Sequence, residues 1–347
     1  MQLLETLIVF MLLEIGIDIM SIYNLSGENL NDIGYDVTGA LLSQAYDIEA
    51  NELFDGSQYN LNIIPDESSG TASGYTFAMQ NSGNTYIMRE VVDFSTDSYA
   101  LQSFCYDYDN NLYYKFDAST TVRVYSPAMQ KINTITMPQS AGHNNDACYH
   151  NGSIYLPNDN TPSSSIYVWN IANNTVQTIS ISGILQPSNG SNRGVEAICE
   201  KARGSGEFYL VCRDSWSDSL YHDTNDKLSV YLFDLSTGNA VLQAEFPWDC
   251  VFLQGATFLD GILYCACNTQ TTGSAGNYVG ITLKAIRTDT WVQLDSLISS
   301  GNYEPEGLDV IPQGNKQEIM MGMGKYMTIS KIVRFTSPYK LAAGEEP

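Results

Sequence analysis

Positive charge is the scarcest thing in this chain. Its 347 residues hold 16 Lys and Arg against 39 Asp and Glu, a formal net charge of −23. Binding a polyanion needs clustered cations that release counterions. No such cluster exists, so nucleic acid is excluded as a partner. The first basic residue is Arg89, and residues 1–88 carry 12 acids with no Lys or Arg. That end would be repelled by an anionic membrane. Charge of either sign is sparse: charged residues are 16% of the total, against about 25% in an average domain. The surface must therefore be covered by Asn, Ser, Thr, Gln, Gly and Tyr, which suits β-rich extracellular or virion proteins.

Histidine is scarce too. His143, His150 and His222 are the only three, too few for a His-rich metal centre. No G-x-S-x-G elbow accompanies them. The seven cysteines are odd in number and scattered, with no C-x-x-C, so buried reduced thiols are expected rather than a zinc ribbon. Asp107-Tyr-Asp-Asn-Asn111 lacks the terminal Glu of a calcium loop and reads as a hairpin turn. Gly322-Met-Gly324 is a strand glycine pair, not a phosphate loop. No metal or cofactor is expected. A long uncharged apolar run is also missing. Residues 3–20 are interrupted by Glu5, Glu14 and Asp18 and fit neither a signal peptide nor a membrane span. Residues 1–19 read either as a short self-associating helix, with Leu4, Ile8, Met11 and Ile15 in 4-3-4 spacing, or as an extension upstream of Met20.

What the chain does have is repetition, at two scales. Within residues 20–74, Tyr23–Leu30, Tyr35–Leu42 and Tyr46–Leu53 share the form Y-[DN]-φ-x-[GA]-x-x-L. Each reads as two short strands around a tight turn. Such units cannot bury a core alone, so they call for other copies, most simply a homotrimer. The stretch Asp66–Gly74 (DESSGTASG) is a linker. Residues 75–338 then show short apolar-alternating runs separated by Asn, Gly, Asp and Ser turns. They group into five sets: 103–137, 146–181, 194–246, 254–297 and 306–335. Four-stranded units at a period of about 40–60 residues predict an all-β fold, a five-bladed β-propeller, with a β-sandwich as the competitor. The fifth set lacks an outer strand, which Thr85–Val92 can supply. Residues 339–347 form a tail.

Aligning the first strand of each set places Gln102, His143, Arg193, Gln254 and Glu306 at one level, round one mouth of the central channel. Asn145, and the acids Asp146, Glu196 and Asp309, fall beside them. Gly194, Gly255 and Gly307 fit a crowded backbone there. A ring of convergent donors and acceptors suits a sugar hydroxyl. Trp248 and Tyr303 are candidates for stacking on a sugar ring. The competing possibility is that these polar groups merely satisfy one another, Arg193 pairing with Glu306 or Asp146.

Gly142-His-Asn-Asn-Asp-Ala-Cys-Tyr149, Asn151-Gly-Ser-Ile-Tyr155, Leu253-Gln-Gly-Ala-Thr-Phe-Leu-Asp-Gly261 and Tyr303-Glu-Pro-Glu-Gly-Leu-Asp309 resemble segments of the receptor-binding propellers of phages that infect Gram-positive bacteria. The units at 35–54 resemble modules that begin phage tail and baseplate proteins. The resemblance covers roughly residues 140–310. It implies a five-bladed propeller that contacts cell-wall glycopolymer. The chain departs from the staphylococcal pattern in showing no long coiled-coil stem, which puts a teichoic-acid ligand in question. The resulting expectation is a tail-tip protein of a virion, made in the host cytoplasm, attached to other tail or baseplate proteins through its N-terminus and binding cell-surface polysaccharide or a teichoic-acid-like polymer. A bacterial cell-surface location is the alternative. The rival function is a glycoside hydrolase using Asp146, Glu196, Glu306 and Asp309 as acid and base or nucleophile; an inert structural tail component is a third.

Overall fold

A computed structural model describes residues 76–80, 85–93, 101–117, 119–138, 144–157, 164–186, 193–214, 227–247, 250, 252–268, 280–294, 296–300, 304–313, 316–325 and 329–335. The chain divides into two compact units, Met1–Ala72 and Ser73–Pro347, and every described residue lies in the second. The expectations for residues 1–19, for the short repeats and linker of 20–74 and for the tail after 338 fall outside the described residues.

Every regular element among the described residues is a β-strand. The first two are β1 (Thr76–Gln80) and β2 (Thr85–Asp93). Three four-stranded antiparallel meanders follow: β3 (Ser103–Asp107) to β6 (Lys131–Thr136) through β4 (Leu112–Phe116) and β5 (Thr121–Tyr125); β7 (Cys148–His150) to β10 (Thr175–Ser180) through β8 (Ser153–Pro157) and β9 (Ser165–Asn170); and β11 (Arg193–Glu200) to β14 (Asn239–Pro247) through β12 (Glu207–Asp214) and β13 (Lys227–Asp234). The remaining strands are β15 (Leu253–Leu259), β16 (Ile262–Asn268), β17 (Gly280–Arg287), β18 (Val292–Gln293), β19 (Leu297–Ser300), β20 (Glu304–Gln313), β21 (Lys316–Lys325) and β22 (Ile329–Phe335). They join β1 and β2 in one ten-stranded sheet ordered β15-β16-β17-β19-β1-β2-β22-β21-β20, with β18 on β17.

Turn chemistry explains where the hairpins close. Asn151 (φ 45°) with Gly152 (φ 74°) joins β7 to β8, and Asp260 (φ 51°) with Gly261 (φ 77°) joins β15 to β16. Positive φ at both turn positions matches the twist of the flanking strands, and Asn-Gly and Asp-Gly adopt it with least strain. Between β3 and β4, Asp107 Oδ1 accepts the N–H groups of Asp109 (3.0 Å) and Asn110 (2.9 Å). The acidic run at 107–111 is thus a capped hairpin. Between β13 and β14, the Asp234 carboxylate takes the same role for Ser236 (2.8 Å).

Burial falls from the inside of each meander outwards. All of β3 is buried, whereas β6 is almost wholly exposed. The innermost strands touch one another in the cyclic order β3, β7, β11, β15, β20 and back to β3. Apolar cores fill the wedges between them. Tyr114, Phe116 and Trp169 lie between the first two meanders, and Phe208, Leu210 and Tyr231 between the second and third. Val211, Leu263 and Cys265 lie in the next wedge, and Tyr264, Leu308 and Met321 in the one after it. Leu101, Phe104 and Met320 close the circle. Radial meanders round a common hub are a β-propeller. The expected five separate sets appear as four sheets among the described residues. The reason is local: β1 pairs with β19 at Gln80–Ile298 as well as with β2, and β2 pairs with β22, so the last two sets are hydrogen-bonded into one. The seven cysteines are all buried and form no disulfide.

Candidate functional site

Three innermost strands carry a β-bulge at the level that the sequence alignment singles out. Pairing shifts between Val195 and Ala197 in β11, between Leu253 and Gly255 in β15, and between Pro305 and Leu308 in β20. The residues stepped out of the ladder are Glu196, Gln254 and Glu306 with Gly307. A bulge re-aims its residue and so defines structural equivalence. Glu196, not Arg193, therefore corresponds to Gln254 and Glu306. Arg193, three residues earlier, turns along its own sheet. Its guanidinium donates to the Tyr231 hydroxyl on β13 (2.7 Å) and to Glu245 on β14 (2.9 Å). The five-membered ring drawn through Arg193 is corrected accordingly.

Gln102, Asn145, Asp146, Glu196, Gln254 and Glu306 form the waist of the hub. Asp146 is fully buried, and its Oδ2 accepts the N–H groups of Ile198 and Ala256, both at 3.0 Å. Burial pushes its carboxyl well up, partly offset by those N–H groups. Asn145 donates from Nδ2 to the Leu253 carbonyl (3.0 Å), and Gln254 from Nε2 to Glu304 (2.6 Å). Glu196 accepts from Arg213 Nε at 3.1 Å, both side chains being buried. Gln102 is partly buried and donates to the Leu101 carbonyl (3.3 Å). Glu306 is buried, and its side chain lies over Gly324: a Cβ there would stand 2.9 Å from Glu306 Oε1, and one at Gly322 would overlap the Glu306 carbonyl oxygen. The Gly322–Gly324 pair thus makes room for the β20 bulge. His143, Trp248 and Tyr303 lie outside the described residues.

The cavity of the hub lies further along the inner strands. It encloses about 260 Å³ and is lined from all five: Tyr106 on β3 and Tyr108 just past its end, Tyr149 on β7, Glu200 on β11, Phe258 on β15 and Asp309 on β20. Arg203, in the turn after β11, completes the rim. Of the predicted residues that are described, only Asp309 lines this space. Its Oδ2 accepts the Tyr106 N–H (2.6 Å) and its Oδ1 the Val310 N–H (2.7 Å). Burial, opposed by those N–H groups and by Arg203, pushes Asp309 up to about 7. Arg203 stands 5.3 Å from the Tyr108 ring centre and 5.9 Å from that of Tyr106, and donates to the Val310 carbonyl (3.2 Å).

Tyr108 donates to Glu200 Oε2 (3.2 Å), and Glu200 Oε1 lies 2.6 Å from His150 Nδ1. The Asn151 amide nitrogen lies 3.1 Å from His150 Nε2, so both ring nitrogens are engaged. Tyr149 meets the Tyr108 ring edge-on at 4.9 Å and donates to Asp109 (2.7 Å). Burial raises the Tyr108 and Tyr149 hydroxyls, so both stay protonated donors at neutral pH. The site therefore offers aromatic faces, a stacked guanidinium and two carboxylates. The one sequence signal for it is Glu200-Lys-Ala-Arg203, three charges in four residues of a chain with few.

The fold and this hub cavity define the class: a β-propeller with a polar, tyrosine-walled central pocket. No protein-family model and no curated protein matches the chain. Solved structures similar to it include a chain of a nidogen/laminin complex (TM-score 0.42, 11% identity, 76% of this chain and 93% of that one). Others are U3-55K (0.40, 10%, 67% and 77%) and the WD40 repeats of RRP9 (0.39, 10%, 73% and 84%). What makes the molecule a propeller is its own closed circle of inner strands.

Proposed function

We propose that the chain is a glycan-binding attachment protein of a virion tail, which holds a terminal sugar of a host surface polysaccharide in the hub cavity. The observation that carries this reading is the cavity itself. Tyr106, Tyr108, Tyr149 and Phe258 give apolar ring faces for the C–H face of a sugar. Arg203, Glu200 and Asp309 give hydrogen-bonding groups for its hydroxyls. The volume of about 260 Å³ falls just below the ~300–1000 Å³ of small-molecule sites, so one sugar ring at a chain end is the fitting ligand. The virion assignment, the attachment of the N-terminal repeats to tail proteins and the homotrimer rest on the sequence resemblance. The five-blade count belongs to the same reading: β15-β16-β17-β19 and β20-β21-β22-β2 act as two blades, with β1 as the strap between them.

Binding of the full chain to host cell walls and to a glycan array tests it. Tyr108→Ala with Arg203→Ala should weaken binding at least tenfold with the fold unchanged by circular dichroism. Undiminished binding removes the cavity from the reading.

One observation favours the hydrolase instead: Asp309, raised to about 7, is protonated in part at neutral pH, as a general acid must be. Asp146 and Glu196 are engaged by backbone N–H groups and by Arg213, which suits structure more than catalysis. Release of reducing sugar from the bound polysaccharide, abolished by Asp309→Asn, would decide for that rival.

A further inference from the structure

We propose that the waist of the hub binds a hard cation of the calcium class, through the Asp146 carboxylate and the side-chain carbonyls of Asn145 and Gln254. The proposal is independent of the glycan reading, since it concerns a different level of the channel.

All three side chains are more than nine-tenths buried. Asn145 Oδ1, Asp146 Oδ1 and Gln254 Oε1 are buried oxygens with no hydrogen-bond partner among the described residues. The amides are not free to turn over. Asn145 Nδ2 is held by the Leu253 carbonyl and Gln254 Nε2 by Glu304, and both partners are acceptors, so each amide must direct its NH₂ group to them and its oxygen elsewhere. The two amide oxygens are then acceptors and cannot satisfy each other.

They come from segments in contact with one another. Asn145 holds the carbonyl of Leu253, next to Gln254, while Asp146 holds the N–H of Ala256, two residues beyond it. Gln254 itself is stepped out of the ladder by the β15 bulge. Gln102 Oε1, a fourth buried oxygen without a partner, comes from the segment whose Ser103 accepts from Asn144. Arg193 and Arg213, the guanidiniums of β11 and β12, are turned to Glu245 and Glu196.

Buried acceptors without donors are rare in folded proteins and costly. A cation satisfies several at once. Donors that are all oxygen select hard cations rather than zinc or copper. One carboxylate with neutral carbonyls in an irregular cage suits Ca²⁺, which takes six to eight oxygens flexibly, better than Mg²⁺, which demands a near-octahedral set. Sequence spacing conceals the site because no linear loop carries it.

The test is calorimetry and thermal unfolding of the full chain, stripped with EDTA, titrated with CaCl₂, MgCl₂ or NaCl alone. Expected are one saturable Ca²⁺ per chain, a midpoint raised by several degrees in Ca²⁺, and a smaller rise at equal Mg²⁺. Gln254→Leu and Asn145→Leu should each weaken Ca²⁺ uptake about tenfold. Absence of saturable uptake by the native chain overturns the proposal whatever the variants do. So does uptake whose affinity is the same in both variants, since it would then belong to the acidic N-terminal residues.

Discussion

At the scale of single residues, two hub aspartates, the buried Asp146 and the half-buried Asp309, behave as rivets between modules. Asp146 ties its own strand entry to β11 and β15 through two backbone N–H groups. Asp309 ties β20 to β3 through the N–H of Tyr106. Asp146 does this with one oxygen, Oδ2, which accepts from two inner strands that each carry a bulge. Asp309 also gives a pH dependence. Its folded value of about 7 lies above the ~3.9 of an unfolded chain. Below ~pH 4 both states are protonated. Between ~4 and 7 the folded protein retains a proton that the unfolded chain has released, so the stability from that proton is lost as pH rises through the folded value. Urea unfolding from pH 4 to 8 should therefore show wild type losing stability relative to Asp309→Asn as pH rises. The ceiling is ~4 kcal/mol at ~1.4 kcal/mol per unit, and solvent access to this partly buried side chain lowers it. Parallel profiles for the two proteins would refute the assignment.

At the scale of elements, glycine decides how closely the inner strands approach. A Cβ on Gly255 would stand 2.7 Å from the Leu308 nitrogen and 2.8 Å from Gly307 Cα. Both are backbone atoms and cannot swing aside. Gly255→Ala must spread β15 from β20 and should cost ~1–3 kcal/mol, the usual range for overpacking. Gly204, at φ +73° with nothing within 4 Å of its Cβ position, is the comparison: Gly204→Ala meets only backbone strain, ~1–2 kcal/mol, and does not spread the inner strands. Denaturant midpoints measure both, and only Gly255→Ala should lower the midpoint by more than backbone strain alone accounts for. Gly255 and Gly307 were legible in the sequence as signs of crowding, and the strands themselves were legible to within a few residues, because alternation and turn residues are local signals. The bulges were not. One extra residue shifts the register by one, and aligning strand starts by polarity put Arg193 where Glu196 belongs.

At the scale of the whole molecule, closure joins the two ends of the propeller. β2, from before the first meander, pairs with β22, and β1 pairs with β19. Without these strands, β19 and β22 are left as open edges with unpaired N–H and C=O groups. A chain beginning at Ser73 should unfold in one cooperative calorimetric transition. A chain beginning at residue 94 should unfold at least ~10 °C lower or aggregate, and a peptide of residues 73–93 added in trans should restore part of the loss. Equal midpoints for the two chains would show that closure does not depend on this strap.

By itself the sequence determined that the protein is all-β, that its strands come in repeated antiparallel meanders, and that its turns close at Asn-Gly and Asp-Gly. These properties follow from a two-residue periodicity and from turn chemistry, which act between neighbours in the chain. Only the tertiary structure decided which side chains share the cavity and that Arg203 stacks on Tyr106 and Tyr108. Such groups come together only once the ring closes, as the bond between Asp309 and Tyr106 across 203 residues does, and no local pattern encodes a meeting at that distance.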